Sequence, residues 1–384
     1  MLKDTCGTVC LYLCVCISIF SSCTLFAYEI GPEGTPFDPV HQALTKNALD
    51  CLFNHEDQEP NSCLNSLSDC LETRSTESCL KEANPTKLYL DKYSSNQMAS
   101  ASIWPDDPTD EIGLRGTAKF GVKMKFSCQQ HLKNSRGLDV SHGLLCNSHF
   151  GNFQFWHAQA SSKNESSGDT RDKILAWAKF NYEVAIGTIP ADKDYCSYFD
   201  ENPSAISAIM KPSTYPYCKE RKVGGILPSW LKQSYPAYDI ATLYGMKCKS
   251  PFSSNQCTED LIRSPSKRTD KTIISAIGAL LHLVQDSYSQ SHVTRGDCFD
   301  ELNPKHNHPK PVSKIVCKSI ESYTNYAQYN NDTHRTETQL NHEASDKWPR
   351  VDESCFLNEN VGNDPITISA KILRHIQKKS AWNN

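Results

Sequence analysis

The sequence predicts a mainly α-helical fold in which one buried helix carries metal-binding side chains. Apolar residues recur at intervals of three and four over residues 41–52, 172–186, 271–288 and 366–376. This is the period of a helix that buries one face. Alternating strand-like runs joined by tight turns are scarce, so we expect few long strands.

The helix predicted over 271–288 carries the most informative pattern. In the segment AIGALLHLVQDSYSQSHV, His282, Asp286 and His292 form a His-x3-Asp-x5-His series, and we expect all three on this helix. His282 and Asp286 share a helical face because they are four residues apart. Burying an imidazole and a carboxylate is costly unless they are paired. A divalent metal ion would pair with both; a mutual hydrogen bond in a helical core is the alternative.

The first 27 residues have the features of a signal peptide. They combine Lys3 with an apolar run over 9–20 and small residues ahead of Ala27, the usual order of such a peptide. Cleavage there would leave Tyr28 as the new amino terminus. Later segments fall short of the roughly 20 continuous apolar residues that span a bilayer. We therefore expect a secreted protein, extracellular or periplasmic, without a transmembrane segment.

Cysteine usage points to the same compartment. The chain has 18 cysteines, and the 13 that follow residue 27 are widely spaced and contain no Cys-x-x-Cys. This spacing favours disulfides over a thiolate zinc site.

We expect residues 28–384 to form one domain because no Gly/Ser-rich or Pro-rich linker divides them. Regions 53–95 and 187–268 interrupt the helical pattern, and we interpret them as disulfide-held loop insertions. The second is rich in aromatic residues that could lie at a lipid interface or surround a quaternary ammonium group. Ordinary loop packing is the alternative for each of them. These residues are Tyr195, Tyr198, Tyr215, Tyr217, Trp230, Tyr235 and Tyr238.

Charge and short motifs argue against several classes of protein. The formal net charge is −4, and no long basic run is present, so broad electrostatic capture of nucleic acid has no support. The chain lacks the G-x-x-x-x-G-K-[ST], G-x-G-x-x-G and G-x-S-x-G motifs. Nucleotide-cofactor enzymes and serine hydrolases usually depend on these motifs.

The segment HLVQDSYSQSH resembles the motif of zinc-dependent phospholipases C and the related S1/P1 nucleases. In that family, H-x3-D-x5-H supplies ligands to a three-zinc cluster. Family members often carry glycine where this chain has Gln285 and proline where it has Gln290. SHFGNFQFWHA, followed by TRDKILAWAKFNYEVA, is most similar to the phosphatidylcholine-hydrolysing branch from Gram-negative bacteria.

Other segments resemble the family's remaining ligand positions in order: FDPVHQALTKNAL, SIWPDDPTD, NSHFGNFQFWHA and LNHEASDKW. In SIWPDDPTD we choose Asp106 over Asp107 because it lies two residues after Trp104. In NSHFGNFQFWHA we choose His149; His157 is the alternative, since it lies eight residues on and could share a helix face.

The resemblance distributes these ligands over three zinc ions. The first is held by Asp106, His149, His282 and Asp286. The second is held by His41, Asp286 and the terminal amine and carbonyl of Tyr28, where the family usually has tryptophan. The third is held by His292, His342 and Asp346.

The fold implied by the resemblance is a multi-helix phospholipase C/P1 nuclease-like domain. The implied reaction is hydrolysis of the glycerol-side phosphodiester bond of phosphatidylcholine-type phospholipids at a membrane or micelle surface. Asp106 would orient the attacking water or accept its proton. One alternative is a secreted zinc-dependent single-strand nuclease of the S1/P1 type. Another is a disulfide-stabilised binding protein whose zinc is not catalytic. The sequence does not fix the head group or the oligomeric state.

Overall fold

The computed structural model confirms a mainly helical protein, in which helices account for most of the described residues and strands for few. The proposed signal peptide, Tyr28, His342 and Asp346 lie outside the described residues. The structure describes residues 40–54, 63, 88–90, 92–108, 143–162, 164–210, 239–248, 257–259, 265–289, 292–295, 320–325 and 364–382.

Four longer helices occupy the segments where the sequence predicts them, and each extends the predicted range by one to six residues at its start. They are α1 (Val40–Asn54), α4 (Ser167–Ala185), α8 (Pro265–Asp286) and α9 (Pro365–Gln377).

Shorter helices lie between these four. They are α2 (Ser95–Ala101), α3 (Gly143–Phe150), a 3₁₀ helix (Gln154–His157), α5 (Tyr195–Glu201), α6 (Ser207–Met210) and α7 (Ile240–Gly245).

The described strands are short and form three antiparallel pairs. Leu88 faces Ser94 in the first pair, Cys248 faces Cys257 in the second, and Val293 faces Tyr323 in the third. The strands are β1 (Leu88–Tyr89), β2 (Tyr93–Ser94), β3 (Met246–Cys248), β4 (Cys257–Glu259), β5 (Val293–Arg295) and β6 (Ile320–Tyr323).

Helix boundaries follow local capping chemistry. The Ser166 side chain accepts from the backbone N–H of Asp169 at the start of α4. At the start of α9, the Asp364 side chain accepts from the next two free N–H groups, and Pro365 occupies the first helical position. A polar cap satisfies backbone donors that have no partner within the helix, and proline there forfeits no intrahelical bond.

The long helix α8 is the centre of the described fold. It packs against α4, α7, α2 and α9, and it also contacts α1 and the 3₁₀ helix. Ile277, Leu280 and Leu281 on this helix are at most 1% exposed and belong to the hydrophobic core. Helix α8 is therefore surrounded by other elements, so polar residues outside its apolar stripe also lie inside the protein.

A glycine allows α8 to approach the end of α2 closely. A Cβ atom built on Gly278 would lie 2.0 Å from the backbone oxygen of Ala101. One turn further along α8, His282 Nδ1 lies 2.8 Å from the backbone oxygen of Ser102. The close packing at Gly278 thus sets the position of the loop that follows α2.

The two regions expected to be insertions contribute to the core where they are described. Tyr195 is 4% exposed and contacts Phe199, while Tyr198 packs against Phe180. These two tyrosines therefore show ordinary packing, the alternative to a lipid or quaternary ammonium contact. The other five aromatic residues of that group lie outside the described residues.

Disulfides are present, as cysteine usage predicts. Cys51 at the end of α1 is bonded to Cys63, and the Cys63 N–H donates to Thr367 Oγ1 on α9. Cys146 and Cys196 are also disulfide-bonded. None of the described helices is both long enough and apolar enough to cross a lipid bilayer.

Candidate metal centre

Ionisable side chains gather in the interior beside the carboxyl-terminal end of α8. Each is at most 4% exposed, in a region where charged groups are rarely found without partners. Those among the described residues are His41, Asp106, His149, His157, His282, Asp286 and His292.

The cluster draws on most of the fold. His41 lies in the first turn of α1, and Asp106 follows α2. His149 lies near the end of α3, and His157 ends the 3₁₀ helix. The other three ligand candidates belong to α8 or immediately precede β5. Tertiary packing, not one local motif, therefore assembles the group.

Three ligand atoms form its most compact part. His282 Nε2 lies 2.9 Å from both His157 Nδ1 and Asp286 Oδ2. His157 Nδ1 lies 3.1 Å from the same carboxylate oxygen. Two ligands of a tetrahedral zinc ion, at bond lengths of 2.0–2.2 Å, are about 3.3 Å apart. These three atoms can therefore face one metal ion.

Asp106 adjoins this group. Its Oδ1 lies 3.7 Å from His149 Nε2 and 3.8 Å from His157 Nδ1. Its Oδ2 lies 3.7 Å from His282 Nδ1. These separations exceed a hydrogen bond, and neither carboxylate oxygen of Asp106 has a hydrogen-bond partner among the described residues. The carboxylate is thus placed for a further cation or a water molecule.

His41 approaches the cluster from α1. Its Nε2 lies 3.4 Å from Asp286 Oδ1, and its ring stacks on His282 with centroids 3.8 Å apart. Asp286 consequently has histidines beside both of its oxygens. A carboxylate placed in this way can contribute one oxygen to each of two metal ions.

The same geometry fixes the protonation of four histidine rings. Each Nδ1 faces an oxygen acceptor: Gln285 Oε1 for His41, Leu145 O for His149, Ser102 O for His282 and His157 O for His292.

Because a carbonyl oxygen only accepts, each Nδ1 must carry a proton, and the neutral ring then keeps its lone pair on Nε2. Metal-ligating histidines almost always show this arrangement, in which the outer nitrogen donates to an oxygen that orients the ring.

The two buried carboxylates are held in their charged form. Burial alone would raise the pKa of Asp286, but the charge that His282 and His292 carry when protonated, with hydrogen bonds from His157 and His282, outweighs burial and lowers that pKa well below its usual range. Burial likewise opposes ionisation of Asp106, but His282 in its protonated form, together with the neighbouring His149, His157 and His41, makes the net shift of its pKa downward. Ionised carboxylates are the form that binds metal.

The donor set fits a metal ion. Three groups of ligand atoms lie close enough together to share an ion. Asp286 Oδ1 and both carboxylate oxygens of Asp106 are buried and lack hydrogen-bond partners among the described residues, which is costly unless something else satisfies them. The groups are His41 with Asp106 and His282, Asp106 with His149 and His157, and His157 with His282 and Asp286.

The structure places the two neighbouring aspartates differently. Asp106 is fully buried within the cluster, whereas Asp107 is partly exposed and belongs to none of the three groups. The fold therefore brings Asp106 close to the histidine ligand atoms.

Two expectations about shared helices were wrong. Helix α8 ends at Asp286, and His292 lies beyond a turn, directly before β5. His149 and His157 do not share a helical face, because α3 ends at Phe150 and a separate 3₁₀ helix carries the second histidine. The fold brings both into the cluster, although the sequence analysis preferred His149 alone.

No protein-family model matches the chain, and no match was found among curated proteins or solved structures. Its functional assignment therefore depends on the residues of the site and on the resemblance of its motifs.

Proposed function

We propose that the protein is an exported zinc-dependent phosphodiester hydrolase that acts as a phospholipase C on phosphatidylcholine-type lipids. The observation that carries this proposal is the buried cluster itself. Five histidines and two aspartates converge among the described residues, and four of the rings have Nδ1 held by an oxygen. Histidines and aspartates on a solvated surface, or in a core held by hydrogen bonds, would not need to be buried together and oriented in this way.

The described residues suggest where zinc would be held. His157 Nδ1, His282 Nε2 and Asp286 Oδ2 form one position, with Asp106 beside it. His41 and the other oxygen of Asp286 form a second.

The resemblance adds the amino terminus of Tyr28 to this second position. It also assigns a third position to His292 together with His342 and Asp346. The cluster would then hold three ions.

When bound, zinc supplies the positive charge that acidifies a water molecule and neutralises phosphoryl oxygens. The residues supply the rest. Asp106 has two buried oxygens without hydrogen-bond partners among the described residues, so it can orient a water molecule or accept its proton. His282 keeps its geometry through Ser102.

The surroundings exclude bulk water from one side of the cluster. Trp156, which directly precedes His157, is fully buried and stacks on Trp177 with ring centroids 4.7 Å apart. Trp104, two residues before Asp106, stacks on the same indole of Trp156 at 5.1 Å. A low-dielectric wall strengthens electrostatic interactions within the site.

Phospholipid is favoured over nucleic acid by three features of the chain. SHFGNFQFWHA resembles the phosphatidylcholine-hydrolysing branch, and the region 187–268 is rich in aromatic residues. The net charge of −4 offers no broad attraction for a polyanion. Export is supported by the signal-like first 27 residues and by the disulfides, which form in oxidising compartments.

The test is release of phosphocholine from phosphatidylcholine by purified protein beginning at residue 28. The reaction is measured as purified, after chelation and after zinc is restored, with cleavage of single-stranded DNA followed in parallel. We expect zinc-restored release of phosphocholine. DNA cleavage without lipid hydrolysis would favour the single-strand nuclease instead, and zinc binding without either activity would favour a binding protein.

A further inference from the structure

Gln285 joins α1 to α8 at the edge of the metal cluster. This side chain directly precedes Asp286 and is fully buried. Its Oε1 lies 2.7 Å from His41 Nδ1, and its Nε2 lies 3.0 Å from Thr45 Oγ1. His41 and Thr45 are four residues apart on α1, so the amide spans one face of that helix. Both ends of the amide are engaged.

The orientation of this amide determines which nitrogen of His41 is protonated. Oε1 can only accept, so Nδ1–H donates to it and the lone pair remains on Nε2. An amide turned the other way would offer an N–H to Nδ1 and move the proton of the neutral ring to Nε2. In the observed orientation the Thr45 hydroxyl accepts from Gln285 Nε2, so the other end of the amide is bonded as well.

The selected tautomer has a direct use in the cluster. Nε2 of His41 lies 3.4 Å from Asp286 Oδ1. The ring is also held flat against His282, with an interplanar angle of 23°. Gln285 and Asp286 are adjacent on α8, so the residue that orients the histidine and the carboxylate that faces it move together. Because they are adjacent, Asp286 and the side chain that orients His41 keep a fixed position relative to each other.

We propose that Gln285 is a positioning residue for the zinc ligand His41. It selects the tautomer that directs Nε2 toward the ion shared with Asp286, while Thr45 holds the other end of the amide. This inference rests on the proposed zinc site. A glycine at this place, as in many members of the resembled family, has no side chain that could do so.

Two substitutions at this position separate hydrogen bonding from volume. Gln285→Met keeps the approximate size but removes the acceptor, and it should weaken binding of one zinc ion by about 10–100-fold, the usual effect of losing an outer-shell partner. Gln285→Glu still accepts from His41 and should bind zinc at least as tightly as wild type, because a carboxylate is a common outer-shell partner of a ligating histidine. Zinc affinity is measured by competition with a chromophoric chelator, and the number of ions by elemental analysis.

A less disruptive variant tests the same proposal in case Gln285→Met does not fold. Thr45→Val removes only the hydroxyl that holds the amide, and it should shift the nitrogen resonances of the His41 ring toward the Nε2-protonated form. Long-range proton–nitrogen NMR of the metal-free protein reports this directly. Unchanged His41 resonances in both Thr45→Val and Gln285→Met would overturn the proposal.

Asn181 provides a matched control. It is a fully buried amide on α4 whose two ends bond Trp177 O and Tyr244 Oη. Asn181→Leu should lower the melting temperature without changing zinc affinity. If Gln285→Met does the same, the side chain is only structural and the proposal is wrong.

The outcomes distinguish this inference from the proposed function. If the wild-type protein binds zinc and hydrolyses no phosphodiester, the function fails while zinc affinity still decides the role of Gln285. If the protein hydrolyses phospholipid and Gln285→Met binds every ion as tightly as wild type does, only this inference fails. A wild-type protein that binds no zinc overturns both.

Discussion

At the residue scale, His157 holds the most connected position in the cluster. Its Nδ1 lies 3.1 Å from Asp286 Oδ2 and 3.8 Å from Asp106 Oδ1. Its backbone oxygen accepts from the His292 ring. One residue therefore both faces the two carboxylates and orients another histidine.

We predict that His157→Asn lowers zinc affinity by at least the roughly 10-fold expected for loss of an outer-shell partner, because its Nδ1 is one of the ligand atoms of the proposed zinc position. Elemental analysis and chelator competition measure the change. His375→Asn is the control, since this histidine of α9 is exposed. Zinc binding equal to that of the control would exclude His157 from the site.

The neighbouring aspartates give a second residue-scale prediction. Asp106→Asn should reduce phosphocholine release by about 10²–10⁴-fold, the usual range for loss of a general base. Asp107→Asn should retain most activity, because this residue is partly exposed and lies outside the three groups. Initial rates at saturating zinc provide the comparison. Equal loss in both variants would contradict the assignment of Asp106.

Sequence spacing indicates the chemistry of a residue well, but it is a poorer guide to which residues lie next to it in space. His282 and Asp286 could be paired from a four-residue interval because they lie on one helix. No comparable rule relates His149 to His157, since the chain leaves one helix and enters another between them. The role of Gln285 was equally hidden: its partners on α1 are more than 200 residues away in the sequence.

At the element scale, the four long helices could be predicted because their apolar periods are long enough to detect. The short helices α5, α6 and α7 have four to seven residues, too few for a period to emerge. Their burial depends on contacts with the core, which sequence alone does not reveal. Asp194, the cap of α5, was the available local signal.

The contact between α8 and α2 should be most sensitive to substitution at Gly278. Gly278→Ala would place a methyl group 2.0 Å from the Ala101 oxygen, and the backbone must move to accept it. We expect a loss of about 1–3 kcal/mol in the free energy of unfolding, the usual range for overpacking. The zinc content should also fall, because the Ser102 carbonyl would shift away from His282.

Denaturant unfolding checks this expectation, with Gly168→Ala as the control. Gly168 is exposed in the first turn of α4, and its nearest neighbour would lie 3.7 Å from the added atom. If both alanine variants unfold at the same denaturant concentration as wild type, α8 and α2 do not pack as described.

At the scale of the whole molecule, the cluster is too polar to be explained as part of the core. Burying charged or polar groups without compensation costs several kcal/mol each, a large share of the usual 5–15 kcal/mol of net stability. Its side chains come from α1, α3, the 3₁₀ helix and α8, and from the segments that follow α2 and precede β5. Bound cations would turn this cost into a contribution to folding.

The most direct test of this account is the zinc content of purified wild-type protein and of Asp286→Asn, measured by elemental analysis. Asp286 faces histidines on both sides, so we predict more than one zinc ion per wild-type chain and a loss of zinc in the variant. A folded wild-type protein without zinc, or a variant with the same zinc content, would contradict the metal centre.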